Sequence, residues 1–212
     1  MSFRVFDKYA ERYDSWYFKN PVIARNEVKV LKSFRLTKPI LDVGVGTGFF
    51  SRLLGADLGV DLALNALRIA RSRGIEVVHG DACRLPLRDS SVSSVLMVVT
   101  LCFLDEPMKA ISEVLRVLRH GGRVIACIVP RDSSWGKYYM RKGGPFYSIA
   151  RFYTVDEAIK LFTNEGFKYV KALGTLSFKP WEEPKDEEPR DWYLGLDLGF
   201  VCIELIKSGA SS

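Results

Sequence analysis

No run of about 20 uninterrupted apolar residues occurs in this 212-residue chain, so a membrane-spanning helix is not expected. The opening MSFRVFDKYAERYDSW lacks the apolar core of a secretory leader, which makes the cytoplasm the expected location. Histidine is scarce, with only His79 and His120. Cysteine is limited to Cys83, Cys102, Cys127 and Cys202, and no two have the close spacing of a zinc knuckle or a redox pair. No metal site is expected from them. Three sit in or beside apolar runs and read as reduced thiols packed in a core. Cys102 has a second reading, as a residue lining a site. No Gly-Lys-Ser/Thr is present, which excludes a phosphate-binding P-loop. No internal repeat is visible.

What is present suits one globular domain. Hydrophobic residues make up 48% and charged residues 26%, too apolar for long disorder. The net charge of +6 is unevenly spread. Residues 1–40 hold nine Lys/Arg against four acids, among them Glu27, whereas residues 182–188 hold five acids against Lys185. The basic N-terminus reads as the solvated faces of amphipathic helices, with an anionic partner such as RNA as the alternative. Trp181 and the acids after it read as a solvated loop.

Helical spacing of apolar residues predicts helices over 6–18 and 22–35, broken at Asn20-Pro21. A strand–helix rhythm follows. Strands are expected at 39–43, 57–60, 75–79, 92–99 and 123–129, with helices to about 55, over 63–73 and over 106–118. This alternation predicts a doubly wound, mostly parallel α/β sheet. Residues 131–146 lack periodicity. Thr154-Val-Asp-Glu157 supplies a capping box for a further helix. Residues 167–176 and 197–206 read as two strands with no helix between them, hence an antiparallel C-terminal pair. Seven strands result. The whole of 1–212 reads as one domain, with 1–38 as a helical cap, 39–129 as the core, and 130–212 as loop, helix and last two strands.

The stretch ILDVGVGTGFF, residues 40–50, carries the most chemistry. It ends a strand and opens a helix, the place where open α/β sheets bind nucleotides. A dinucleotide fingerprint needs glycines at the first, third and sixth positions, and the sixth here is Phe49. Instead Gly44, Gly46 and Gly48 alternate with Val45 and Thr47, and Asp42 stands two residues ahead.

This D-x-G-x-G-x-G pattern resembles motif I of the class I S-adenosylmethionine-dependent methyltransferases. The likeness continues in order along nearly the whole chain. Phe6-Asp-Lys-Tyr-Ala-Glu-Arg-Tyr-Asp14 is similar to the lead-in of many small-molecule members, type 11-like domains among them. Asp61 ends the second strand, His79-Gly-Asp-Ala82 closes the third, and Leu85-Pro86-Leu87 follows. Val114 to Gly122 is similar to a helix ending in R-V-L-K-P-G-G, with His120 in place of proline.

The resemblance implies a Rossmann-like fold and a bound S-adenosylmethionine, leaving S-adenosylhomocysteine. Asp42 would lie near the methionine amino group and Asp61 on the ribose hydroxyls. Leu62 would pack on the adenine, Asp81 would take its amino group, and the Ala82 backbone its ring. Met97 is counted with the cofactor residues. Tyr9 and Tyr13 would close over the ligand or, on the plainer reading, staple the helices to the sheet. His79 reads as structural. His120 reads as a complement to a helix dipole, at the edge away from any site.

The acceptor should sit beyond the carboxyl ends of strands four and five. Cys102 and Phe103, then Arg131, Trp135 and Tyr139, are the candidates there. The segment 131–147 mixes aromatics with cations and reads either as a lid or as a surface helix. No N/D-P-P-Y/F sequence is present, which argues against methylation of exocyclic base amines or glutamine amides. The expected activity is methyl transfer to a small molecule by in-line displacement, driven by orientation and desolvation. The alternatives are an RNA methyltransferase using the basic N-terminal face and a non-catalytic S-adenosylmethionine-binding protein. The acceptor atom, the need for a base and the oligomeric state are not legible.

Overall fold

A computed structural model describes residues 2–208. Three helices come first: α1 (Phe3–Lys8), α2 (Ala10–Lys19) and α3 (Pro21–Lys32). The expected first helix is two pieces, because Tyr9 leaves helical geometry at φ −118°. Then β1 (Ile40–Val43), α4 (Phe49–Leu54), β2 (Leu58–Asp61), α5 (Leu64–Ser72) and β3 (Val77–His79) alternate. They are followed by β4 (Val92–Val98), a 3₁₀ turn over 101–103, α6 (Pro107–Val117) and β5 (Leu118–Ile128). The C-terminal part adds α7 (Ser134–Lys142), α8 (Val155–Asn164), β6 (Phe167–Thr175), β7 (Arg190–Asp191) and β8 (Phe200–Lys207). No helix among the described residues is long and apolar enough to cross a membrane.

The strands form one sheet in the order β3-β2-β1-β4-β5-β8-β6-β7. The first five are parallel, and β8 runs antiparallel between β5 and β6. The two-residue β7 makes eight strands rather than seven, being too short to leave a periodic signal. Alternation along the central strands splits the core. Val95, Met97, Val124, Ala126, Val201 and Ile203 face α6 and α8. Leu96, Ile125, Cys127 and Cys202 face α3, α4 and α7.

Three expectations are corrected here. Cys127 and Cys202 are register partners on β5 and β8 and form a disulfide, so they are not reduced core thiols. Sequence distance hid the pair because their strands are neighbours only in space. His120 lies inside β5, exposed, not at a helix end, because the strand starts at Leu118. Of the two readings of the segment after β5, the helix is present: α7 is started by Ser133, whose Oγ accepts the Gly136 amide at 3.0 Å, and it buries Trp135 and Tyr139. The acidic segment is not simply solvated: Lys29 pairs with Asp186 and Glu188, and the buried Asn26 side chain bonds the backbone of Lys185 and Glu187. That contact neutralises part of the basic face of α3. The capping box of Thr154 and Glu157 is present as expected.

Candidate functional site

The parallel strands end together at Val43, Asp61, His79 and Val98, and the glycine loop crosses their carboxyl ends. The three glycines differ in their reason for being glycine. All have positive φ, at +76°, +52° and +74° for Gly44, Gly46 and Gly48. A Cβ on Gly44 would stand 2.4 Å from Thr100, and one on Gly48 2.3 Å from Ile75. Only Gly46 faces open space. Gly44 and Gly48 therefore close the loop onto the protein, and Gly46 is the one that bares backbone to a ligand.

Asp61 holds the loop in shape. Its Oδ2 accepts the Gly46 amide at 2.8 Å, and its Oδ1 accepts the Ala63 amide at 2.8 Å. Burial raises its pKa despite those bonds. Asp42 is almost fully enclosed. Its Oδ2 accepts the Ser51 hydroxyl, while its Oδ1 has no partner among the described residues. Burial pushes its carboxyl up to about 7, with the Ser51 bond opposing and the charge of Asp61 adding.

Two cavities open from here. A cleft of about 110 Å³ is lined by Gly44, Gly46, Asp61, Leu62, Asp81, Ala82, Tyr13 and Phe103, among others. A larger chamber of about 360 Å³ adjoins it. Cys102, Phe103, Trp135 and Tyr139 line it, joined by Trp16, Tyr17, Tyr147 and Glu27. The cleft and the chamber share three residues, Tyr13, Val99 and Phe103. At that junction Val99 sits at φ +55°, a strained conformation for a β-branched residue.

Several expected site residues lie elsewhere. Met97 is fully buried in the core facing α6 and α8, because strand alternation turns its neighbour Val98 to the cleft instead. Arg131 lines neither cavity and pairs with Glu157 at 2.7 Å. Tyr9 lines neither and packs edge-on against Phe146. Val45 packs beneath Gly59, where a Cβ would meet it at 2.6 Å. Thr47 turns to the N-terminal helices, donating to Asp14 at 2.6 Å. His79 rests against the Leu62 carbonyl at 3.2 Å. Burial pushes the Cys102 thiol up to about 12, so it stays protonated at neutral pH.

Three residues of the site were missed. Asp14 takes a bidentate pair from Arg73, at 2.7 Å on each oxygen, and both side chains are 14% exposed. With Thr47 they latch α2 and the end of α5 to the glycine loop. Glu27 was counted only as a charge. It stands four residues from both Ile23 and Leu31, and that place on the apolar stripe was the signal.

Comparison with known proteins agrees with this architecture. A family model described as "Methyltransferase domain" matches residues 41–126. An uncharacterised protein of Methanocaldococcus jannaschii is 37% identical over 205 residues, covering 96% of this chain and 98% of that one. A demethylmenaquinone methyltransferase of Listeria welshimeri is 26% identical, covering 80% and 89%. A crystal structure from Thermotoga maritima superposes with a TM-score of 0.93 at 32% identity, covering 98% of this chain and 100% of that one. It is described as an S-adenosylmethionine-dependent methyltransferase, a possible histamine N-methyltransferase. Matched along nearly its whole length in sequence and in fold, the chain belongs to the S-adenosylmethionine-dependent methyltransferases.

Proposed function

We propose that this methyltransferase acts on a small molecule held in the aromatic chamber, with the methyl donor in the adjoining cleft. The observation that carries this reading is the junction: the cleft over the glycine loop and the 360 Å³ chamber share Tyr13, Val99 and Phe103. A donor in one and an acceptor in the other would meet there, shielded from water.

The residues of the cleft suit the donor. Asp61 keeps one lone pair on each oxygen for ribose hydroxyls while it holds the loop. Gly46 offers open backbone, whereas Asp42, bonded to Ser51, lines neither cavity. Asp81, Leu62 and Ala82 line the end for the base. The donor supplies an activated methyl, so the protein's task is to orient and to exclude water. The enclosed, aromatic walls fit a compact organic acceptor better than a polymer. The pairing of Arg25 and Lys29 with the 186–188 segment weakens the case for RNA on that face.

Calorimetric titration with S-adenosylhomocysteine tests the cofactor half. Wild type should bind at micromolar levels, and Asp61→Ala should weaken binding at least tenfold, about 1.4 kcal/mol. Absence of wild-type binding would overturn the reading. The acceptor half is tested by supplying methyl-labelled donor to a cell extract separated into small molecules and RNA. Label entering the small-molecule fraction supports the proposal, and label confined to RNA refutes it.

A further inference from the structure

Glu27 is the only acid among the buried residues of α3, which are otherwise Ile23, Ala24, Asn26, Val30 and Leu31. Its side chain lines the chamber and has no hydrogen-bond or ion-pair partner among the described residues. The other titratable groups facing that space are Tyr13 and Tyr17 from α2, Cys102 from the turn after β4, Tyr139 from α7 and Tyr147 from the turn after it. All are neutral acids, and burial moves each of them further from ionising. Arg12 and Lys142 also border the chamber, but both are exposed and lie over the rings of Tyr9 and Tyr138. The carboxyl is thus buried without a cation of its own, a costly arrangement that a bound cation would relieve.

The walls around it have the matching chemistry. Trp16, Tyr17, Trp135, Tyr139 and Tyr147 ring the same space, and aromatic faces attract an ammonium group through their quadrupoles. A neutral alcohol or a carboxylic acid would gain little from either feature. We propose that the methyl acceptor is a small amine, and that Glu27 is its ionic anchor and proton acceptor. This rests on the methyl-transfer reading above and names its substrate class.

The chemistry balances. An ammonium nitrogen has no lone pair with which to attack. The Glu27 carboxylate takes one N–H proton, leaving a neutral amine beside a neutral carboxylic acid. The amine lone pair then forms the new N–CH₃ bond as the S–CH₃ bond of the donor breaks, and that bonding pair stays on sulfur. The product leaves as a methylated ammonium ion, and the Glu27 carboxylic acid releases its proton to water before the next turnover. Burial pushes the Glu27 carboxyl up to about 8, close enough to an amine for the transfer to be shallow.

The test uses the full chain saturated with S-adenosylhomocysteine. Benzylamine, 2-phenylethylamine and cyclohexylamine are titrated beside the alcohols of the same shape, reading the fluorescence of Trp16 and Trp135. At least one amine should bind tenfold or more above its alcohol, and Glu27→Gln should erase that preference while leaving S-adenosylhomocysteine affinity and the folded state intact. With the preferred amine and labelled donor, wild-type kcat/KM should level off near pH 8, whereas in the variant it should keep rising toward the pKa of the free amine. Amines that bind no better than their alcohols, or a preference that survives Glu27→Gln, would overturn the proposal. Wild type that binds no S-adenosylhomocysteine sinks the methyl-transfer reading itself, so the two failures are distinguishable.

Discussion

At the scale of single residues, the site is a set of acids held under different strains. Among the described residues, Asp61 is buried but bonded to two amides, Asp42 has one partner and one orphan oxygen, and Glu27 has no partner. Glu27 therefore links stability to pH. Its carboxyl titrates at 4.5 in the ordinary state and at about 8 in the fold. Between those values the folded chain keeps a proton that the unfolded chain has released, so its contribution to stability falls as pH rises. Glu27→Gln removes that penalty. The variant should melt above wild type, by a margin that widens from about pH 5 to 8 at up to roughly 1.4 kcal/mol per pH unit and then levels off. Thermal melts across that range check it, and a variant less stable than wild type at pH 8 would contradict it. Asp42 and Asp61 were legible because they stand at fixed offsets around a glycine pattern. Glu27 and Asp14 were not, because nothing in a local window says that an acid will be buried. Only the places of Ile23 and Leu31 one turn either side mark Glu27 as inward-facing.

At the scale of elements, the N-terminal helices form one wall of both cavities. Tyr13 lines both, and Tyr17 stacks on Phe49 at 4.3 Å with the rings 6° from parallel. The charged latch joins Asp14 on α2 to Arg73 after α5 and to Thr47 in the loop. Burial alone would raise the Asp14 carboxyl, but the Arg73 guanidinium and the Thr47 hydroxyl hold it below its ordinary range. Its contribution is complete at neutral pH and is lost as pH falls below the usual carboxylate range. Asp14→Asn strands a guanidinium that is 14% exposed, and should cost about 2–3 kcal/mol. S-adenosylhomocysteine binding should weaken with it, because the loop loses its brace. Chemical denaturation and calorimetry measure both, and unchanged values for each would remove the latch from the account. Most elements were legible from periodicity and from breaks such as Asn20-Pro21. The failures were local. Helix α7 was legible only as one of two readings, because it carries Gly136 and the pair Tyr138-Tyr139 instead of a plain apolar stripe, and the start of β5 is masked by Gly121-Gly122.

At the scale of the whole molecule, the parallel order was readable and the closing of the sheet was not. Strand order depends on contacts between segments far apart, and β8 inserts between β5 and β6 with no local mark of doing so. The Cys127–Cys202 bond was invisible for the same reason, its ends standing 75 positions apart in the sequence. Unfolded in denaturant without reductant, the chain should offer two thiols, Cys83 and Cys102, to alkylation, and four after reduction. Mass spectrometry reads the count, and four before reduction would refute the bond. Cys127→Ala should lower stability by about 2–4 kcal/mol by freeing the denatured chain. The position of β8 also bears on how the protein is made. It leaves the ribosome after β6, yet β6 touches the rest of the sheet through it. The five parallel strands can assemble while synthesis continues, with β5 waiting as an open edge. β6 and β7 have nothing to dock on until β8 arrives as the keystone. Nascent chains halted before Phe200 should therefore be the aggregation-prone and chaperone-dependent ones.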